Sequence, residues 1–175
     1  RDTFHPLLWD EVETERPERM QQVWFAGMHA DVGGGYPDDG LSQIPLLWMM
    51  AEAERPGLRF RPSALSDVRR SLNHSTPTHD SRRGLAAYYR YQPRKISARM
   101  AEPDPTALIM RSPNDRGRLA SVRIHASVLE RIHSGPDGYA PIVIPEDYEV
   151  VRVPWWDEPP AEAAAAERSR LQQWI

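Results

Sequence analysis

The stretch VWFAGMHADVGGGYP, Val23 to Pro37, decides how the rest of the chain is read. Val23, Trp24, Phe25, Ala26 and Met28 put apolar side chains on both alternating faces, the pattern of a strand covered by helices on each side. His29 then leaves the carboxyl end of that strand. Open α/β sheets gather their ligands there, because loops vary at that edge without disturbing the core. The expected fold class is α/β with a mainly parallel sheet.

On the upstream side, residues 1–20 are polar and broken by Pro6 and Pro17, so they read as a connection into the strand. Downstream, Tyr36 to Gly40 is turn-like, and Ser42 is placed to cap a helix whose Pro45 is tolerated in the first turn. Leu46, Leu47, Trp48, Met49 and Met50 make that helix apolar nearly all round, which predicts burial, and Pro56-Gly57 ends it. Strand, glycine loop and helix together form one α/β unit.

Beyond Leu58, the spacing of Leu65, Val68 and Leu72 predicts a helix, and His74 to Gly84 is a polar loop. Tyr88, Tyr89 and Tyr91 suit a half-buried strand ending at Pro93, and Ala101 to Arg118 reads as a loop. Val122 and Ile124 predict a short strand. Ser127 with Glu130 has the capping-box pattern of a helix start, and Glu149 to Val153 suits another strand. Ala161 to Ile175 reads as a helix. No internal repeat is present.

The chain has 175 residues, a net charge of -3 and no Cys. That balance gives no support to a nucleic-acid partner, and the lack of Cys removes disulfides, thiolate metal sites and a cysteine nucleophile. No apolar run approaches the roughly 20 residues that span a bilayer, and no signal-peptide pattern is seen, so the segment is expected to be soluble. With 17 Pro and 10 Gly the elements are short, and 40% hydrophobic residues is sparse for a self-sufficient globule. A fragment of a larger domain is expected.

His29 has the residue type and the place of a catalytic base: a neutral imidazole takes a proton from a serine hydroxyl and returns it to the leaving group. The plainer role is a hydrogen bond within its loop, and spacing alone favours it. Asp31 is expected to accept N–H groups of the following backbone and steady the turn, or alternatively to orient His29. Gly33, Gly34 and Gly35 permit positive φ and read as a supporting turn, since no phosphate-binding pattern accompanies them. His125 is the rival catalytic histidine, with packing or capping as its plainer role. His74, His79, Asp80 and Ser81 lie together in the polar loop without diagnostic spacing and read as loop structure. A metal at His29-x-Asp31 would need a third ligand from an unidentified position, so no metal and no cofactor are expected. No G-x-S-x-G elbow occurs in the chain, so a hydrolase nucleophile would have to lie outside it.

The run VWFAGMHADVGGGYPDDGLSQIPLLWMMAEA resembles the α/β-hydrolase family of type VI secretion phospholipase effectors, the Tle-like hydrolases, with their W-F-x-G-x-H-x-D-V-G-G-G-Y motif. RDTFHPLLW, HDSRRG, YYRYQPR and IHASVLERIHSGPDGYAPIVIP look like further family segments. The resemblance implies a serine esterase or phospholipase whose nucleophile and acid both lie upstream, and it carries the histidine of G-x-H-x-D onto His29. It implies a partial α/β-hydrolase fold lacking the N-terminal strands and the nucleophile elbow. On this view residues 1–57 are the C-terminal part of the hydrolase core, and 58–175 are further hydrolase segments with an appended region. The implied substrate is an ester or phospholipid, and secretion-apparatus or membrane contact would come through regions outside this chain. The alternative, from another class, is a non-catalytic interaction or delivery module that keeps a hydrolase-like fold.

Overall fold

The computed structural model describes residues 8–11, 16, 19–80, 119–141 and 144–153. The expected tyrosine-rich strand, the 101–118 loop and the 161–175 helix lie outside the described residues. Those described belong to two compact units, drawn from Arg1–Phe25 with Asp80–Val151 and from Ala26–His79 with Arg152–Ile175.

The first unit is built on a short parallel sheet. Strand β1, Arg123–His125, pairs in parallel with β2, Glu149–Val151, in the register Ile124 to Val150. On the other side of β1, Trp24 forms a single parallel bridge to Ile124. Trp24 donates its N–H to the Arg123 carbonyl at 2.8 Å, and His125 donates its N–H to the Trp24 carbonyl at 3.0 Å. Flanked on both sides, β1 is the buried member, and Val122, Ile124 and His125 are closed off from solvent. Parallel strands need a long crossover, and here it begins with helix α4, Ala126–Ser134, directly after β1. Gly135, in the left-handed region at φ 61, ends that helix by donating its N–H to the Arg131 carbonyl.

Charge anchors the segment entering this sheet. The buried Glu11 carboxylate accepts the Ala120 N–H at 3.0 Å, the Gln22 amide at 3.0 Å and the Arg123 guanidinium at 3.2 Å. A buried carboxylate is tolerable only with such compensation.

The second unit is helical where described. A short helix, α1 (His29–Gly33), is followed by α2 (Gln43–Glu54) and α3 (Pro62–Ser71). Leu41, Ile44, Leu47, Trp48, Met50 and Ala51 are buried here. Pro62 opens α3 at its first turn, where a missing N–H is harmless, and Arg69 and Arg70 sit at its negative end.

Helices and a small parallel sheet agree with the expected α/β class, and β1, β2, α2 and α3 fall where the sequence puts them. Several details differ. The strand expected over Val23–Met28 is one bridge at Trp24, because Gly27 turns the chain at φ 112 and α1 starts two residues later. Helix α2 is not buried all round, since Leu46 and Met49 are exposed on its outer face. Ser42 precedes α2 without capping it, and its hydroxyl donates instead to the Asp39 carbonyl. Helix α4 is capped by His125 rather than by Ser127: the chain passes from strand to helix without a loop, so the imidazole is the acceptor nearest the free Ser127 N–H.

Candidate active site

The G-x-H-x-D motif folds around its aspartate. Asp31 is the third residue of α1, and its carboxylate reaches back to accept the Met28 N–H at 2.8 Å, the reciprocal half of a capping box. Gly27 is required for this twice over: its φ of 112 suits glycine, and a Cβ there would overlap the Asp31 side chain. The glycines that follow divide their work. Gly33 ends α1, while Gly34 at φ 84 and Gly35 at φ 116 turn the chain toward α2.

A second glycine brings in the partner of Asp31. Gly40 accepts the Asn73 N–H at 2.9 Å, and a Cβ on Gly40 would strike the Thr76 hydroxyl. The segment after α3 therefore packs closely against the turn before α2 and runs on to His79. There the His79 ring Nδ1 lies 2.7 Å from Asp31 Oδ1, and the His79 N–H approaches Oδ2 at 3.3 Å. The ring also stacks on Tyr36, with centroids 3.7 Å apart and planes 15° from parallel.

The Asp31 side chain is 1% exposed and that of His79 is 31% exposed. An ionised carboxylate only accepts hydrogen bonds, so the bond at 2.7 Å requires the proton on His79 Nδ1. In the neutral ring that leaves the Nε2 lone pair to take a proton, which is the tautomer a general base needs. Carboxylate and imidazole thus form an acid–histidine pair, with Tyr36 stacked on the ring.

The other sequence candidates are placed differently. His29 is exposed at the first position of α1, and its imidazole makes no hydrogen bond with the described residues. Asp31 accepts the N–H of Met28, three residues before it, rather than those of the glycines that follow, and its ring partner is His79 rather than His29. His125 ends β1 fully buried, with its ring stacked on Phe25 at 5.0 Å. Its Nδ1 accepts the Ser127 N–H at 3.2 Å and lies 2.9 Å from the Ser127 hydroxyl, so this nitrogen works as a helix cap. Sequence reasoning missed His79, whose only signal was its place in a polar loop. No group of three or more potential metal ligands occurs among the described residues, and none of their helices is long and apolar enough to cross a membrane.

With this geometry in view, comparisons with known proteins add a family likeness. Residues 1–52 match the family described as "T6SS, Phospholipase effector Tle1-like, catalytic domain". The matched stretch includes His29, Asp31 and the three glycines, while His79 and His125 lie beyond it. A Saccharomyces cerevisiae protein described as uncharacterized protein YEL023C is 41% identical over 59 residues, which is 31% of this chain and 8% of that protein. The similarity therefore spans less than a tenth of the yeast relative's length. No solved structure matches the chain.

Proposed function

We propose that this chain is part of a serine hydrolase that cleaves acyl esters of phospholipids, with the serine supplied by an upstream α/β-hydrolase elbow. In this reading Asp31 is the carboxylate and His79 the proton carrier. The bond from His79 Nδ1 to the buried Asp31 carboxylate carries the proposal, because a histidine so held keeps the tautomer and orientation that serine activation requires. The match of residues 1–52 to a phospholipase effector catalytic domain supports the reaction class.

The chemistry is two acyl transfers. His79 Nε2 takes the serine proton as the oxygen attacks the ester carbonyl, and Asp31 stabilises the imidazolium that forms. Collapse of the tetrahedral adduct breaks the ester C–O bond, and Nε2 returns its proton to the departing alcohol. Water, deprotonated by the same nitrogen, then releases the fatty acid and restores the serine. Backbone N–H donors would hold the oxyanion. No cofactor enters any step.

His29 and His125 stay in the comparison. The motif assigned the base to His29, and its exposure leaves it accessible. One observation favours His125: it stands at the carboxyl end of a parallel strand, the edge where α/β sheets gather their ligands, whereas the order acid then histidine holds for His79 as well. Against it, the Nδ1 that a triad gives to the carboxylate is here the cap of α4.

The test is product analysis by mass spectrometry after incubating the full-length protein with mixed phospholipid vesicles and with short soluble esters. Release of fatty acid and lysophospholipid, lost in Asp31→Asn, is the expected outcome. Cleavage of soluble esters alone would reduce the reading to a general esterase. No turnover of either by a protein containing an intact elbow would favour the non-catalytic module.

A further inference from the structure

We propose that the outer face of α2 and the turn after it form a contact site for an anionic lipid surface. The inference rests on the lipid-substrate reading above but uses residues away from Asp31 and His79. Leu46 and Met49 are 44% and 55% exposed, and their i, i+3 spacing puts them on one side of the helix. Ala53 continues that side one turn further, and its carbonyl accepts the N–H of Leu58, itself 54% exposed. The result is an aliphatic stripe running from the first turn of α2 to the turn after the helix. Isolated surface leucines are ordinary, whereas a continuous stripe with polar margins marks a contact.

The margins identify the partner. Arg55, Arg59 and Arg61 surround Leu58 in sequence, and all three are exposed, in a chain whose overall charge is -3. The charge of Arg55 is offset by its ion pair with Glu52 at 2.7 Å, whereas Arg59 lies over the carbonyls of Glu54 and Leu58 and is held beside the stripe as a cation. Gly57, at φ 113, lets the chain double back and project Leu58. Aliphatic side chains flanked by guanidinium groups fit the boundary between acyl chains and phosphates, where the apolar part enters and the cations pair with anionic headgroups. A protein groove would instead call for aromatic anchors, which this stripe lacks.

The experiment is sedimentation of the full-length protein with vesicles of phosphatidylcholine alone and with 30% phosphatidylglycerol, using short soluble ester turnover as the control for an intact site. Two double variants, Met49→Ser with Leu58→Ser and Arg59→Gln with Arg61→Gln, are compared after circular dichroism confirms folding. Binding should require phosphatidylglycerol, and the arginine pair should lower it about 30-fold. The aliphatic pair should lower it at least tenfold, and soluble-ester turnover should stay at the wild-type rate. Equal binding by wild type and variants, indifference to phosphatidylglycerol, or no vesicle binding would overturn the proposal. So would sedimentation velocity showing that the stripe instead joins two copies, with the variants monomeric and vesicles ignored. Vesicle binding without phospholipid cleavage would keep this contact and remove the proposed activity.

Discussion

Replacing Asp31 by Asn should damage both stability and turnover, and the sizes follow from the hydrogen bonds. The carboxylate offers one oxygen to the Met28 N–H at 2.8 Å and the other to His79 Nδ1 at 2.7 Å. An amide has one oxygen and one NH2 group, so it satisfies one of these donors and confronts the other with hydrogens. If the oxygen stays on Met28, the NH2 group faces the ring, the proton moves to Nε2 and the nitrogen meant to accept the serine proton is blocked. If the amide flips, the half-buried Met28 N–H faces hydrogens instead of its acceptor, which costs about 1 kcal/mol. The corresponding Asp→Asn change in the serine-protease template lowers kcat about 10⁴-fold. The full-length Asp31→Asn protein should therefore lose about 10³–10⁴-fold in soluble-ester kcat while melting only modestly earlier. Nitrogen-15 spectra of the histidine rings should show one imidazole changing tautomer. Activity within tenfold of wild type, with every ring unchanged, would refute the assignment of Asp31 as the orienting carboxylate.

Two further predictions concern the scaffold. Gly27→Ala places a Cβ against Asp31 at a φ of 112, and the combined strain and overlap should lower stability by about 2 kcal/mol or more in urea unfolding; an unchanged midpoint would show that the turn is not held as described. In the first unit, burial raises the Tyr139 pKa above 10.0, opposed in part by Arg131, whose guanidinium lies 4.9 Å from the ring centroid. The native state keeps the phenol proton where the unfolded state loses it, so this contribution is intact below about pH 10 and declines as pH rises through the native pKa. Tyr139→Phe should flatten that alkaline decline in thermal melts, and an identical slope would contradict it.

How far the sequence reaches depends on the range of the interaction. Helices α2 and α3 are legible because Pro56-Gly57 punctuates them and Leu65, Val68 and Leu72 keep a helical period. Strands β1 and β2 are legible from short β-branched runs. The Trp24 strand is overestimated because hydropathy does not reveal that Gly27 adopts positive φ. The exposed side of α2 is equally hidden, since Leu46 and Met49 look like core residues until their neighbours are known. Asp31 is legible as a carboxylate that steadies its turn, but not the direction of its reach, which is back to Met28 rather than on to the glycines. Its ring partner is not legible either: His79 is 48 residues away and arrives only because Gly40 allows Asn73 and Thr76 to approach. His125 as a helix cap is also hard to foresee, because Ser127 and Glu130 offer a more familiar pattern for the same end.

The most direct test of the account is the ranking of three histidines in the full-length protein. His79→Ala, His29→Ala and His125→Ala are compared by kcat and KM on one soluble ester, each with its folding checked by circular dichroism. Loss of the proton carrier should lower kcat by about 10²–10⁴-fold or more with little change in KM. That loss is expected for His79→Ala, with a near-wild-type kcat for His29→Ala and, for His125→Ala, a fall in thermal stability from the lost α4 cap. A folded His79→Ala variant that retains its kcat, while His29→Ala or His125→Ala abolishes it, would contradict the Asp31–His79 site.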